Sequence, residues 1–195
     1  MILAYAVAIS GNIETPRDLR VLSHEGLHCF YRERQETPRA SESEVREFFA
    51  TNQALFAQSD ILEFQFPTVV HGLDELQEFL ARHEQAILAD MERLQGLAQL
   101  TVYVPKRTTA STAPAQSGTE YLQQKRAQRQ TEVAEIDTIR AIAGADLRDS
   151  SVQGNRLLLL LPRQLAPQIA EKVKSQTGLE VAGPFPPSGF AKLLS

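Results

Sequence analysis

One stretch, residues 60–105, constrains the fold more than any other. An apolar segment, Ile61–Val70, is followed by a long amphipathic segment and then by a second apolar segment, Leu100–Val104. The middle segment repeats apolar residues at steps of three, four and seven, the period of one face of an α-helix. They are Leu73, Leu76, Leu80, Ile87, Met91 and Leu94. The pattern predicts a strand, a helix over about 73–97 and another strand, with the helix buried against a sheet.

The residues before this stretch predict two more strands and one more helix. Residues 2–9 are apolar throughout, as in a central strand covered on both faces, and residues 27–31 alternate in polarity, as in a second strand. Ser41 and Glu44 have the spacing of a capping box. The helix that they begin carries three aromatic rings, Phe48, Phe49 and Phe56. The sequence therefore predicts an α+β fold that begins with a ferredoxin-like β-β-α-β-α-β sheet, with the helices on one face.

A polar stretch divides the chain. Residues 106–117 contain no large apolar side chain, which predicts a linker between two parts. A long helix over about 120–143, polar in its first half, follows this linker. We therefore expect an N-terminal α+β domain over residues 1–105 and a C-terminal part over residues 118–195.

The C-terminal part predicts a small β-α-β unit after its long helix. Residues 150–155 have the composition of a loop, and residues 157–161 are five leucines, which predict a short buried strand. Pro167 and Gly178 mark the first turn and the end of the next helix, and residues 179–181 predict a last strand. Two strands alone form a marginal sheet in water, so we expect them to pack against the long helix, the first sheet or a partner.

Charge and cysteine content limit the classes of partner. The net charge of −4 gives no general attraction to nucleic acid or anionic lipid. Five positive and five negative residues over 119–148 cancel on the long helix, which predicts a mixed-charge face. No segment approaches the ~18 apolar residues of a membrane span. A single cysteine, Cys29, fits a reducing compartment. We therefore expect a cytoplasmic protein that binds neither nucleic acid nor membrane.

One short motif points to metal chemistry. His24-Glu25-Gly26-Leu27-His28 matches the H-E-x-x-H pattern of zinc proteases, in which a helix presents both histidines on one face. Gly26 costs ~1 kcal/mol relative to alanine inside a helix, and the residues that follow alternate with a period of two. A loop that runs into a strand is therefore favoured. A zinc-dependent hydrolase using His24, Glu25 and His28 is the alternative.

The sequence lacks the other catalytic signatures that it could carry. It contains no nucleophile elbow, P-loop or dinucleotide-binding fingerprint, and its carboxylates fall on predicted helix faces. We therefore expect no enzyme activity and no cofactor. A ferredoxin-like regulatory module that binds a small ligand between sheet and helices is a further alternative.

The C-terminal tail combines a stiff backbone with aromatic rings. Residues 183–190, G-P-F-P-P-S-G-F, contain three prolines and two phenylalanines. Such a segment either packs across its own fold or presents ordered aromatic side chains to a partner. From the residues alone, packing within the chain is favoured, because most apolar side chains simply pack.

The tail resembles the G-P-W-P-P-Y-x-F ending of the gas vesicle protein F and L family, with Phe185 in place of the tryptophan. Residues 118–126, G-T-E-Y-L-Q-Q-K-R, are similar to that family's glycine, tyrosine–leucine and basic pair at the start of its long helix. Residues 61–70 occupy the place of its V-L-P-x-R-F-G-T-V strand. Three residues of this strand depart from the family pattern, and Ser188-Gly189 replaces the usual tyrosine–serine. The three are Glu63 for proline, Gln65 for arginine and Pro67 for glycine.

The resemblance implies a short, divergent member of a family of non-enzymatic accessory proteins of gas vesicle formation. It implies a two-part α+β protein, associated with gas vesicles, whose partners are the small hydrophobic shell subunit or other accessory proteins. The candidate partner-binding residues lie in the two matched motifs: Tyr121, Arg126, Phe185, Pro186, Pro187 and Phe190.

Overall fold

The computed structural model describes residues 1–9, 11, 13–105 and 118–193, apart from some side chains at the start of the long helix (Gly118, Glu120, Tyr121, Gln124, Ala127 and Gln128). Its helices are α1 (Glu42–Gln58), α2 (Leu73–Leu94), α3 (Gly118–Ala143) and α4 (Ala166–Thr177). Its strands are β1 (Ile2–Ile9), β2 (Arg20–His24), β3 (Leu27–Glu33), β4 (Leu62–Val70), β5 (Leu97–Tyr103), β6 (Asp149–Gln153), β7 (Arg156–Pro162) and β8 (Glu180–Phe185). The predicted α+β class is confirmed.

The chain forms two compact units. The first comprises Met1–Gln99 together with Phe185–Ser195, and the second comprises Leu100–Pro184. The C-terminal tail therefore belongs to the same unit as the N-terminal residues. The sequence predicts two domains, over residues 1–105 and 118–195. Whether each of them folds independently stays a prediction.

The first sheet has the strand order β2-β3-β1-β4. Its three neighbouring pairs, β2 with β3, β3 with β1 and β1 with β4, are all antiparallel. This is the arrangement of a ferredoxin-like sheet, here without a helix between β1 and β2. The expected strand over residues 100–104 is formed as β5, but it lies in the other sheet. The fourth strand of the first sheet is β2 instead. It arises because a turn at Glu25-Gly26 divides residues 20–33 into two strands, β2 and β3.

Helices cover both faces of the first sheet, where the sequence predicted helices on one face. Successive side chains of a strand point to opposite faces. In β4, Glu63 accepts a hydrogen bond from Asn52 of α1, whereas the ring of Phe64 lies 5.8 Å from that of Phe79 of α2. The whole of β1 before its last residue is accordingly buried. The structure thus confirms the predicted central strand covered on both faces.

The second sheet has the order β6-β7-β5-β8, built from the succession β5-α3-β6-β7-α4-β8. The predicted β-α-β unit corresponds to β7, α4 and β8, and Gly178 ends α4 in the left-handed conformation. β6 is an additional strand in the segment expected to be a loop. Its sequence, D-S-S-V-Q, is mostly polar because it is an edge strand that pairs only with β7. With β5 and β6, the two predicted strands become a four-stranded sheet.

Two further observations concern Cys29 and the helices. Cys29 is fully buried in β3, and burial raises the pKa of its thiol to about 12, so it behaves as a small apolar side chain. Among the described helices, none has both the length and the apolar character that crossing a bilayer requires.

Candidate partner-binding site

Two structural features carry the residues that the sequence singled out. The first is the tail segment, residues 185–193, in the first unit; the second is a groove beside α3 in the second unit. Phe185, Pro186, Pro187 and Phe190 belong to the tail segment, and Arg126 lines the groove. The side chain of Tyr121 lies outside the described residues.

The backbone of the tail segment is held by polar side chains of the first unit. The amide of Lys192 donates a hydrogen bond to the buried carboxylate of Asp90 at 2.6 Å. The carbonyl of Phe190 accepts one from Arg93 at 2.7 Å, and the amide of Gly189 donates one to Gln99 at 3.0 Å. Arg93 also donates to Asp90 at 2.5 Å. These contacts fix the tail segment along the C-terminal end of α2 and the start of β5.

The side chains of the tail segment differ in exposure. Pro186 and Pro187 are buried, whereas Phe185 and Phe190 are half-buried. The short 3₁₀ turn Ser188–Phe190 contacts β4, the edge strand of the first sheet. The prolines therefore contribute to packing within the unit, whereas the two rings keep apolar surface at which a partner could bind.

One carboxylate beneath the tail segment was not foreseen as a functional group. Burial raises the pKa of Glu63, while the hydrogen bond from Asn52 and the neighbouring Ser188 hydroxyl favour its ionised form and oppose that effect. Glu63 stands where the resembling family has proline. The sequence shows that Glu63 departs from the family pattern, but it does not predict that the tail segment lies beside this residue.

The groove in the second unit lies between α3 and the β6–β7 hairpin. It has a volume of about 650 Å³. Its apolar side chains include two that are largely exposed, Leu122 (58%) and Val152 (51%). Its other lining residues are four basic and one acidic residue, with further apolar and polar positions: Lys125, Arg126, Arg129, Arg156, Glu132, Val104, Pro105, Ile136, Leu157, Gly154 and Asn155.

The sum of charges over residues 119–148 did not predict the basic residues of the groove. Charges over residues 119–148 cancel, but the basic residues of the run Q-Q-K-R-A-Q-R-Q, residues 123–130, precede most of the acidic ones. Three of them line the groove, and Arg156 joins them from β7. The absence of acidic residues from that run was the signal available in the sequence. The contribution of Arg156 depends on the fold.

The H-E-x-x-H match lies in a β-hairpin, not on a helix. His24 ends β2 and His28 lies in β3, with Glu25 and Gly26 forming the turn at positive φ values of 41° and 84°. His24 pairs with Leu27 and His28 pairs with Ser23, so the two histidines point to opposite faces of the sheet. They cannot bind one zinc ion as neighbours on one helix face would. The structure therefore supports the favoured interpretation of a loop and strand.

No other metal centre is formed in the part of the chain that the structure describes. There, no three His, Cys, Asp or Glu side chains come together as metal ligands do. His24 instead faces Glu84 of α2 at 3.8 Å, and His71 lies 3.1 Å from Glu75.

Comparison with known proteins gives one family and a shared fold. The model of the family described as gas vesicle synthesis protein GvpL/GvpF matches residues 3–147. The crystal structure of gas vesicle protein GvpF from Microcystis aeruginosa is similar with a TM-score of 0.71 at 12% identity, covering 98% of this chain and 99% of that one. GvpF from Anabaena sp. PCC7120 is similar with a TM-score of 0.72 at 14% identity, covering 98% and 96%. At such identities the structural likeness shows the fold alone. No curated protein matches the sequence.

Proposed function

The chain belongs to the gas vesicle synthesis protein GvpL/GvpF family, and from this we propose that it is an accessory protein of gas vesicle assembly that binds the small hydrophobic shell subunit or other accessory proteins. The family match over residues 3–147 carries the proposal. The likeness in fold to two GvpF structures over nearly the whole chain supports it. We place the protein in the cytoplasm, at the gas vesicle.

A binding role is consistent with the surfaces of the two sheets. β2 and β6 are short edge strands, and an edge strand presents unpaired backbone groups to which an extended segment of another protein can add. The opposite edge of the first sheet, β4, is contacted by the tail segment. Shielding the apolar surface of a shell subunit at such edges until it joins the growing wall would suppress its aggregation.

The half-buried rings of Phe185 and Phe190 and the exposed Arg126 are the proposed contact residues that the structure describes. Tyr121, from the same matched motif, completes the set. Pro186 and Pro187 contribute by fixing the direction of the tail segment between the two rings. A zinc hydrolase is not proposed, because the geometry at His24 and His28 gives it no support.

Co-purification tests the proposal directly. The tagged chain is co-expressed with a gas vesicle shell subunit and, in separate cultures, with each accessory protein of the same gene set, against an unrelated acidic protein. We expect specific retention of at least one gas vesicle protein. Retention of none by a folded chain would refute the binding role.

Paired variants locate the contact. The double variant Phe185→Ala/Phe190→Ala is compared with Phe49→Ala, which removes a ring that is 47% exposed on α1. Retention lost only in the tail variant, with an unchanged circular dichroism spectrum, would support the tail rings as the contact. Unfolding of the tail variant, or equal retention by both variants, would exclude them.

A further inference from the structure

We propose that the groove between α3 and the β6–β7 hairpin binds an acidic, amphipathic helical segment of a protein partner. The inference deepens the proposed function and rests on it for the identity of that partner, a protein of gas vesicle assembly. The groove itself is argued from its own residues, all of which lie in the second unit.

The apolar part of the groove supplies the first argument. Leu122 of α3 and Val152 of β6 expose more than half of their surface. Single exposed apolar residues are common on protein surfaces. Here two of them border one concave surface that also includes the half-buried Ile136, above the buried Val104 and Leu157. A partner with an apolar face would bury this surface.

Charge supplies the second argument. Among the described side chains, Lys125, Arg126, Arg129 and Arg156 line the groove with a single carboxylate, Glu132, in a chain whose net charge is −4. Among the side chains that the structure describes, Arg126, Arg129 and Arg156 make no hydrogen bond or ion pair. A basic groove on an acidic protein attracts acidic segments and repels basic ones.

Length and backbone chemistry favour a helix as the occupant. Leu122 and Ile136 are fourteen positions apart on α3, which corresponds to roughly 21 Å of helix axis. That length accepts about four turns of a second helix, whose apolar residues recur on one face. Much of the groove wall belongs to α3, whose backbone hydrogen-bonding groups are already used within the helix. An occupant that satisfies its own backbone therefore fits better than an extended strand.

Other occupants fit the groove less well. Among the side chains that the structure describes, no aromatic ring lines the groove as a stacking surface for single-stranded nucleic acids or nucleotides. Residues 106–117 of the chain itself carry two basic residues and no acidic one, and so do not complement it.

The test measures peptide binding to the full chain by fluorescence anisotropy. The probe is a labelled synthetic peptide about five helical turns long, with leucine on one face and glutamate on the other. The comparison peptides are a scrambled version and one with lysine in place of glutamate. We expect only the acidic amphipathic peptide to bind. Its affinity should fall about tenfold or more in Arg126→Glu/Arg129→Glu, and added salt should weaken it.

Matched variants separate the groove from general charge and hydrophobicity. Lys172→Glu/Lys174→Glu reverses two exposed charges on α4 of the same unit, and we expect it to bind like the wild type. Leu122→Ser/Val152→Ser should weaken binding, whereas Val133→Ser, which alters an exposed residue of α3 outside the groove, should not. Circular dichroism and thermal melting check that each variant is folded.

Several outcomes would overturn the inference. These are equal binding of the scrambled peptide, unchanged affinity in the groove variants, no binding to the wild type, and tighter binding of a single-stranded RNA than of the peptide. Self-association that only the groove variants abolish would assign the groove to a second copy of the chain and overturn it too. Retention of a gas vesicle protein without peptide binding would refute the groove alone. Peptide binding without such retention would refute the proposed function alone.

Discussion

At the scale of single residues, one buried carboxylate, Asp90, and one half-buried carboxylate, Glu63, lie beside the tail segment. Asp90 of α2 is 3% exposed and binds the backbone of Lys192, about a hundred positions away. Glu63 of β4 lies beside Ser188. A buried carboxylate is tolerated only where hydrogen bonds replace its hydration, so each of these residues depends on its partners.

Asp90→Ala should destabilise the protein by about 2–3 kcal/mol, because hydrogen bonds to a charged group each contribute roughly 1.5–3 kcal/mol. The change removes the acceptor for both Arg93 and the Lys192 amide. Urea unfolding measures the loss. Glu92→Ala, an exposed carboxylate of the same helix, is the control and should change stability by less than ~0.5 kcal/mol. A change in Asp90→Ala no larger than in this control would show that Asp90 does not hold the tail segment.

The raised pKa of Glu63 predicts that its contribution to the stability of the protein depends on pH. Burial raises its folded-state pKa above the value near 4.5 of an unperturbed glutamate, so the folded protein binds this proton more tightly than the unfolded chain. Its contribution to stability is therefore complete below about pH 4.5 and is lost as the pH rises through the folded pKa. Glu63→Gln removes the titration. The stability of Glu63→Gln relative to the wild type should increase as the pH is raised from 4 to 8.

Urea midpoints of both proteins across that range measure the difference. Glu92→Gln, which neutralises an exposed carboxylate, should show no comparable trend. A wild-type advantage over Glu63→Gln that grows with pH would mean that the polar contacts of Glu63 with Asn52 and Ser188 outweigh burial, and the prediction would be wrong.

At the scale of elements, periodic segments were predictable and pairing partners were not. α2 was predicted because its apolar residues repeat along one face, and β1 because its apolar run fits a strand covered on both sides. β5 was found as a strand, but its apolar residues do not specify the sheet that it joins. β6 was missed because an edge strand needs few apolar residues. Similarly, the candidate residues of the tail and of α3 were found from motifs, whereas the groove required Arg156 to meet α3 through the fold.

The β2–β3 hairpin yields a prediction about turn chemistry. Both turn residues, Glu25 and Gly26, have positive φ, as in the type I′ turns that favour Asn-Gly. Left-handed backbone costs a residue such as glutamate roughly 1–2 kcal/mol, and asparagine relieves part of that cost. Glu25→Asn should therefore stabilise the protein by about 0.5–1 kcal/mol, whereas Gly26→Ala should destabilise it by about 1 kcal/mol or more.

Urea unfolding measures both effects, and Glu25→Gln is the matched control, since it removes the charge but keeps the unfavourable backbone conformation. The control should behave like the wild type. If Glu25→Gln stabilises as much as Glu25→Asn, the charge of Glu25 is responsible and the backbone explanation fails.

At the scale of the whole molecule, the chain returns at its end to the unit in which it began. Residues 185–195 group with 1–99, so the second unit is inserted in sequence between two pieces of the first. The order of the polypeptide therefore differs from the order of its units.

Truncation after Pro184 should consequently loosen the first unit more than the second. The deletion removes the contact with β4 and the partners of Asp90, Arg93 and Gln99, together with the buried Pro186 and Pro187. Hydrogen exchange followed by mass spectrometry should show faster exchange in peptides from β4 and the C-terminal half of α2, whereas peptides from β6 and β7 report on the other unit. Lys192→Ala keeps the backbone amide that donates a hydrogen bond to Asp90, so its amide hydrogens should exchange at the rates of the wild type. Equal acceleration in both units would mean that the tail segment stabilises the chain as a whole, and the assignment of its effect to the first unit would be refuted.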